Sequence, residues 1–349
     1  MATIREIIRG RIKVSLGDAF MAARRRKRDI PTSTLYFVDP LTDLIGGRLD
    51  ARGRPIRRMG ATLFRCGDAL IVIRYIGQKQ LPVLDQRRFA RVYLVIDDDL
   101  HSLHENDGLP ADYRRRLIAY RNGPMQQVLQ RVTHVVAPSE KILARYPDKR
   151  QILLNPAQCH VSGSLAHHRK GGGLDVVFAG TRSHFEDLNY FADDLASFFR
   201  ARPDARLTTF LNGHAPKPLR DLPNAIHLPT MNWNRYRAYV AQNRFHAAIA
   251  PALDTDFNQA RSLSKLHDHA AFGAAGVYSQ QPPFSNYVND GVSGLLLPNE
   301  PTKWRRALGG LAENRGATEQ LAAEGQELSR KLGDMLRVRN FWMSELGLA

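Results

Sequence analysis

One segment of the chain carries two cations, an amide and a carboxylate at helical spacing. Asn258, Arg261, Lys265 and Asp268 are three and four residues apart, so a helix over 258–272 would place them along one face. Arginine and lysine bind the oxygens of a diphosphate, and a carboxylate accepts hydrogen bonds from a ribose diol. This pattern therefore predicts a socket for a nucleotide sugar.

Strands are predicted on both sides of this helix. The apolar run Ala247–Ala250 ends at Pro251, and a second short strand covers 277–279. A glycine-punctuated turn and strand, 290–297, completes the unit. The socket is therefore expected beside the ends of buried strands.

A second candidate lies where the predicted strand 174–179 meets a helix start. Gly180 allows close backbone approach, and a helix N-terminus favours a phosphate. Thr181 and Arg182 follow directly, and Arg182 adds positive charge. His184 is either a ligand-side residue or a capping or packing histidine. We predict contact with a phosphate at this turn.

Two further segments have polar or aromatic residues at predicted strand ends. Met231 lies in the loop 229–233 and is predicted to cover a ring, unless this loop is an ordinary hydrophobic one. Three aspartates, 97–99, follow the predicted strand 92–96, with His101 just beyond. Carboxylates there could bind a metal or act as a general base, or they could cap a helix or form a solvated turn.

The segment 249–298 resembles the donor-binding half of GT-B glycosyltransferases, in the group-1-like set that builds bacterial surface polysaccharides. Members often carry N-x-x-K-S-x-x-K-x-x-E followed by D-G-x-x-G-x-L. The matching residues here are Asn258, Arg261, Ser262, Lys265, Asp268, His269, Ala271, Gly273, Asp290, Gly291, Gly294 and Leu296.

The resemblance implies an α/β fold with two Rossmann-like domains facing a cleft, and transfer of a sugar from a nucleotide sugar. The implied acceptor is a bacterial glycan or a polyprenyl-linked one, and no cofactor or metal ion is implied. Asp98 and Asp99 are then candidate bases, with His101 or His104 as the alternative. The implied donor-binding residues are Gly180, Thr181, Arg182, His184, Met231, Asn258, Arg261, Ser262, Lys265 and Asp268.

Several positions depart from the family pattern. Arg261 replaces a lysine, Asp268 replaces a glutamate, and Ala275 stands where proline is usual. Many retaining members carry another glutamate eight residues before the ribose acid, and Ala260 occupies that position here. Retention and inversion therefore both stay open. The alternative function is a catalytically silent GT-B-like domain that binds a glycan or a nucleotide.

Composition bounds the remaining choices. The chain has 349 residues, a net charge of +16 and 43% hydrophobic residues, which fits two globular domains. The charge favours anionic partners, but no zinc-finger, RNP-like or KH-like motif supports nucleic acid. The basic run 24–28 follows an apolar-patterned segment, so it predicts peripheral contact with an anionic membrane; a solvated helix face is the alternative.

Two cysteines, Cys66 and Cys159, form neither a disulfide framework nor a CxxC motif. No apolar run approaches the ~20 residues of a membrane span, and we expect a cytoplasmic protein at or near the inner face of the inner membrane.

The alternation of strands and helices predicts four regions: an acceptor-side domain over 1–156, a linker over 157–173, a nucleotide-sugar domain over 174–330, and a terminal helix over 331–349 that packs across both domains. Strands are expected at 34–38, 69–75, 92–96, 133–137 and 151–154, and helices at 112–131, 139–146 and 318–337.

Overall fold

The computed structural model describes residues 29–46, 54–86, 89–103, 109–158, 161 and 163–349. Its strands form two sheets, one with strands β1 to β7 and one with strands β8 to β13. The predicted α/β class with two Rossmann-like domains is therefore confirmed. The predicted membrane-contacting segment, 1–28, lies outside the described residues.

The strands of the first sheet are β1 Ile45–Gly46, β2 Ile56–Arg58, β3 Leu63–Cys66, β4 Ala69–Ile73, β5 Arg91–Val95, β6 His134–Ala137 and β7 Arg150–Leu153. The helices of this half are α1 Pro31–Ser33, which continues as a π-helical turn Thr34–Val38, α2 Val83–Gln86, α3 Ala111–Asn122, α4 Pro124–Leu129 and α5 Glu140–Leu143.

The second sheet contains β8 Asp175–Phe178, β9 Arg206–Thr209, β10 Ala225–His227, β11 Ala247–Ala250, β12 Ala275–Ser279 and β13 Leu295–Leu297. The remaining helices are α6 Phe185–Asn189, α7 Ala192–Ala201, α8 Lys217–Arg220, α9 Trp233–Gln242, α10 Asp256–Gln259, α11 Ser264–Phe272, α12 Pro301–Glu313, α13 Arg315–Leu332 and α14 Met335–Leu346.

The first sheet places its strands in sequence order, β1 to β7. Strands β4 to β7 are parallel neighbours, whereas β3 is antiparallel to both β2 and β4. Right-handed crossovers between successive parallel strands put their connections on one face. Residues of α2 to α5 accordingly share one core with that face, including Leu84, Leu117, Val128 and Ile142.

The opposite face of the first sheet is covered from both ends of the described chain. Tyr36 and Phe37 from the π-helical turn and Trp342 from α14 pack there against Tyr93. Trp342 is fully buried, and its Nε1 donates a hydrogen bond to the carbonyl oxygen of Tyr36 at 2.6 Å. Helix α14 therefore belongs to the core of the first sheet, although it follows the second sheet in sequence.

The second sheet is parallel throughout and has the order β10-β9-β8-β11-β12-β13. The chain runs outward from β8 in one direction and then resumes at β11 in the other. Its two faces are covered by different helices, α7, α12 and α13 on one side and α9 and α11 on the other. The point between β8 and β11 is a topological switch point, where doubly wound sheets bind ligands.

Several sequence-based boundaries are wrong. The predicted strand 34–38 is helical, because Pro31 starts a helix at its first position and Tyr36 and Phe37 pack onto a sheet face rather than join it. The predicted helix 112–131 breaks at Gly123, and the predicted helix 318–337 ends at Leu332. The predicted helix 139–146 is shorter than expected and ends at Leu143; Ser139 caps it, since its side chain accepts a hydrogen bond from the Ile142 backbone N–H.

Candidate functional site

A cavity of about 510 Å³ lies between the two sheets. Its second-domain wall is formed by residues that follow β8, by the loop before α9, and by α11. Its first-domain wall includes the residues that directly follow β4 and β5. The volume lies in the range of small-molecule sites. The cavity opens at the switch point of the second sheet, where side chains from both domains meet.

Lys265 and Asp268 reach this cavity from α11. Lys265 Nζ donates to the Ala179 carbonyl at the end of β8 and lies 3.2 Å from Asp268 Oδ2. Burial raises the pKa of Asp268, while the nearby Lys265 ammonium opposes that shift. The pair therefore places a cation and a hydrogen-bond acceptor together at the switch point.

The predicted single helix face over 258–272 is wrong in one respect. The helix breaks between Gln259 and Ser264, so Asn258 and Arg261 do not lie on the helix that carries Lys265. Arg261 nevertheless lines the same cavity, because the break turns its side chain toward the switch point. Two cations converge there from different local structures.

Arg261 lies against a neutral histidine. Its Nη1 donates to His184 Nε2 at 2.7 Å, and the His184 Nδ1 lies 3.2 Å from Asp187 Oδ2. Burial and the Arg261 charge lower the pKa of His184 to about 4, so the ring is neutral at pH 7. Within the described residues Arg261 has no carboxylate partner, and its Nε makes no hydrogen bond. Part of the guanidinium is thus available to an anion.

Asp187 is a buried hydrogen-bond acceptor that holds several residues on this side of the site. It is 4% exposed, and its Oδ1 accepts hydrogen bonds from the Leu253 backbone at 2.9 Å and from Asn258 Nδ2 at 2.8 Å. The His184 ring, the Arg261 charge and the Leu253 backbone N–H hold the pKa of Asp187 below its usual value despite burial. Asn258 is buried in this network, contacts Asp187 and does not line the cavity, so its contact with a ligand stays a prediction.

The other predicted donor residues are distributed around the opening. Thr181, Met231 and Ser262 line the cavity. Gly180 lies beside it, and a Cβ there would come within 2.3 Å of the Phe178 ring, which explains the glycine. Arg182 does not line the cavity; its side chain is about half exposed and lies 3.9 Å from Asp112 of the first domain.

The first-domain wall is built around Arg74, which follows β4 with a positive φ of 61°. Its Nη2 pairs with Asp98 and donates to the Tyr113 hydroxyl at 3.1 Å, while its Nη1 lies 3.4 Å from Asp97 Oδ1. Asp97 Oδ2 accepts a hydrogen bond from Thr32 Oγ1 at 2.7 Å. Asp97, Asp98, Arg74 and Tyr113 all line the cavity.

Two predicted catalytic residues lie elsewhere. Asp99 is 1% exposed, caps the short helix Leu100–Ser102, and pairs with Arg145 at 3.0 Å. His101 packs edge-on against Tyr146, and burial lowers the pKa of its ring. Neither lines the cavity, so their catalytic roles stay predictions. The alternative His104 lies outside the described residues.

Helix α10 connects the two walls. It belongs to the second domain, yet Phe257 and Ala260 are buried in the helix-covered core of the first domain. Ser139 Oγ donates to the Ala260 carbonyl at 3.1 Å, and the Arg261 guanidinium lies 5.0 Å from the centre of the Phe257 ring. Arg261, which follows Ala260 in sequence, therefore lies at the domain interface.

Sequence reasoning did not single out Arg74 or Tyr113, it considered Asp97 only together with Asp98 and Asp99, and it assigned no role to Asp187. The signal for Asp97 was present, because it is the first polar residue after β5. Successive residues after a strand point in different directions, so Asp97 and Asp98 enter the cleft and Asp99 turns into the first domain. No local pattern marked Arg74, whose carboxylate partners Asp97 and Asp98 lie beyond the next strand in sequence.

No protein-family model matches this chain, and no curated protein matches its sequence. Its structure is similar to a mutant of S. aureus TarM in complex with Fondaparinux, alpha-GlcNAc-glycerol and UDP, with a TM-score of 0.55, 11% identity, and coverage of 77% of this chain and 54% of that one.

Two further similar structures extend the comparison. Anabaena HepE in complex with UDP-glucose matches with a TM-score of 0.54, 13% identity, and coverage of 78% of this chain and 77% of that one. Sucrose-phosphate synthase from Thermosynechococcus elongatus matches with a TM-score of 0.51, 13% identity, and coverage of 76% and 68%. The chain spans about half the length of the TarM structure.

These similarities, together with the two facing sheets and the cavity at the switch point, define the class. The chain has the GT-B fold, the two-domain architecture of glycosyltransferases such as these.

The described part of the chain lacks two further kinds of feature. In that part of the chain no helix combines the length and apolarity that crossing a membrane requires. Likewise, no group of three or more histidine, cysteine or acidic side chains there is arranged to hold a metal ion.

Proposed function

We propose that this protein is a glycosyltransferase that moves a sugar from a nucleotide-sugar donor to an acceptor hydroxyl. One observation carries the proposal: Arg261 and Lys265 converge at the switch point of the second sheet and face Asp97 and Asp98 across a cavity of about 510 Å³. Cations on one wall suit a departing diphosphate, and carboxylates on the other suit an attacking hydroxyl.

The second-domain wall holds the donor in this proposal. Arg261 and Lys265 bind the diphosphate oxygens, and Asp268 accepts hydrogen bonds from the ribose. Met231 and Trp233 cover the base. As the bond between the anomeric carbon and the diphosphate breaks, the two cations stabilise the negative charge that develops on the leaving group. This role requires no metal ion, and we propose that the enzyme uses none.

The first-domain wall holds the acceptor. Asp98 is tied to Arg74, whereas Asp97 Oδ1 makes no hydrogen bond. Burial, more than the neighbouring Asp98 charge, raises the pKa of Asp97, and Arg74 opposes the shift. A carboxylate with a raised pKa is a stronger base, so we propose that Asp97 takes the proton of the attacking hydroxyl. In the same proposal Asp98 positions that hydroxyl.

Solved structures of the same fold were determined with UDP, with UDP-glucose, and with sugar or glycan molecules. Those ligands support a nucleotide sugar and a glycan as the partners of this chain. We propose a bacterial glycan or a polyprenyl-linked sugar as the acceptor and a cytoplasmic location beside the inner membrane.

Thermal unfolding with UDP, GDP, ADP, CMP and TDP, each with and without magnesium, tests the donor site. A ligand that binds only the folded protein stabilises it by about 2.7 kcal/mol at a hundredfold excess over its dissociation constant. We expect one of these nucleotides to raise the melting temperature, independently of magnesium. If none does, the proposed donor site is wrong.

A matched pair of variants makes the test specific. Lys265→Ala removes a cation that pairs with Asp268 in the cavity, whereas Lys303→Ala removes an exposed cation that pairs with Glu300. We expect the nucleotide-induced stabilisation to disappear only in Lys265→Ala. Equal responses would contradict the assignment. Binding without transfer to any acceptor would instead favour the catalytically silent alternative.

A further inference from the structure

The two walls of the cavity carry opposite charge. On the second-domain wall the described charged residues are Arg261, Lys265 and Asp268. His184 adds no charge there at neutral pH, because its pKa is lowered to about 4. This wall therefore keeps a net positive charge, which suits the diphosphate of the proposed donor.

The first-domain wall is acidic in a strongly basic protein. The charged residues that line it are Asp29, Asp97, Asp98 and Arg74. Asp29 is paired with Arg58, and Asp97 and Asp98 share Arg74, so this wall keeps one carboxylate in excess, while the whole chain has a net charge of +16. A random surface of such a chain would be basic. The acidic wall is therefore a specific feature of this side of the cavity.

This wall also offers a ligand a hydrogen-bond acceptor. Asp97 Oδ1 is buried from solvent and accepts no hydrogen bond, and its contact with Arg74 Nη1 is 3.4 Å. Arg74 Nη2 is already paired with the carboxylate of Asp98. Buried oxygen acceptors require a donor, and a ligand hydroxyl or ammonium supplies one, whereas a ligand carboxylate has no proton to give.

Resting on the proposed function, we infer that the acceptor sugar at this wall is neutral or carries an amino group, and that acceptors with an anionic ring substituent, such as uronic acids, are rejected. Arg74 does not provide a site for a carboxylate, because two aspartates already surround its guanidinium. A ligand carboxylate would meet like charge, and unfavourable juxtaposition of charge is how proteins exclude such partners.

Three methyl glycosides that differ at one position test this inference: methyl glucoside, methyl glucosaminide and methyl glucuronide. Their dissociation constants are measured by calorimetry with the protein saturated by the nucleoside diphosphate that stabilises it. We expect the glucosaminide to bind at least as tightly as the glucoside, and the glucuronide to bind at least tenfold more weakly. A glucuronide that binds as tightly as the glucoside overturns the inference, and so does the absence of binding by all three.

Two variants locate the effect. Asp98→Asn removes one negative charge from the wall. We therefore expect the tenfold difference between the dissociation constants of the glucuronide and the glucoside to narrow to about threefold or less. Asp148→Asn makes the same change at an exposed first-domain position outside the cavity and should keep the full gap. An unchanged gap in Asp98→Asn overturns the inference.

The wild-type protein offers a test that needs no variant. Raising the salt concentration to 1 M screens charges at the open cavity, so we expect the gap to narrow there as well, and an unchanged gap counts against the inference. The two proposals fail separately. If no nucleoside diphosphate stabilises the protein, the proposed function fails; if one does and the glucuronide still binds equally, only the choice of acceptor is wrong.

Discussion

The two domains place their functional residues in different ways. In the second domain the strand order reverses between β8 and β11, and the crevice that follows is where Arg261, Lys265 and Asp268 meet. In the first domain the strands follow sequence order, and the functional residues come from the turns after β4 and β5. Topology alone predicts the location of one wall, and only side-chain packing defines the other.

The largest expected effect concerns the wall that topology does not predict. Asp97→Asn keeps the shape of the side chain but removes the proposed base, so we expect kcat to fall by about 10²–10⁴-fold. Donor affinity, measured by thermal shift, should change little. A variant that retains wild-type turnover would show that the first-domain wall contributes no base.

Each domain has one large buried tryptophan, and replacing each in turn compares how the two domains are stabilised. Trp342 covers the first sheet and Trp304 the second; both are fully buried and donate Nε1 to a backbone carbonyl. We expect either change to alanine to cost about 3–5 kcal/mol, measured by chemical denaturation. Hydrogen exchange should show loss of protection first in β4 to β6 for Trp342→Ala and in β8 to β9 for Trp304→Ala. The same exchange pattern in both variants would mean that the domains unfold as one unit.

Asp187 tests how the second-domain wall is organised. Asp187→Asn replaces an ionised acceptor with an amide that can donate, so His184, Asn258 and the Leu253 backbone lose a shared partner. We expect nucleotide affinity to fall by about tenfold through misplacement of Arg261. Because Asp187 raises the pKa of His184, its removal lowers that pKa further, so the ring stays neutral and binding near neutral pH should not become pH-dependent. Exposed Asp221→Asn, in the same domain, is the control and should bind as the wild type does. Unchanged affinity in Asp187→Asn would indicate a purely structural residue.

The smallest expected effect is a difference in acid sensitivity. Burial lowers the pKa of His168 and of His246 to about 4. Both rings lie near Arg315 in the second domain, and His246 Nδ1 also lies 3.6 Å from Asp175 Oδ2. Because the folded-state pKa lies below the unfolded value of about 6.5, these groups stabilise the fold above pH 6.5, and that stability is lost as pH falls toward 4. Each contributes a loss of about 0.5–1 kcal/mol between pH 7 and pH 6.

Hydrogen exchange at pH 7 and pH 5 can check this difference. We expect strand β8 and its neighbours to lose protection before β4 and β5. Equal loss in both sheets would show that these histidines do not set the acid limit.

The sequence predicted most strands, because parallel strands buried on both faces read as short apolar runs, as 69–75 and 92–96 do. It also predicted that Arg261 and Lys265, which share a local motif, lie at one site, and both line the cavity. It did not predict the direction in which Asp97, Asp98 and Asp99 point, since that depends on where β5 ends. The break between α10 and α11 was missed because Phe257 is drawn into the first-domain core, a contact that no local pattern contains.

Helix α14 has a consequence for how the protein is made. The core of the first sheet includes Val338, Trp342 and Leu346, which the ribosome adds only after the whole second sheet. Domains usually fold in the order of synthesis, N-terminal first. Here one face of the earlier-translated sheet is covered only by the segment around Tyr36 and Phe37 until the last helix is made, while the later sheet can already close its core. During translation, the incompletely covered face of the first sheet is therefore the surface that a chaperone would need to shield.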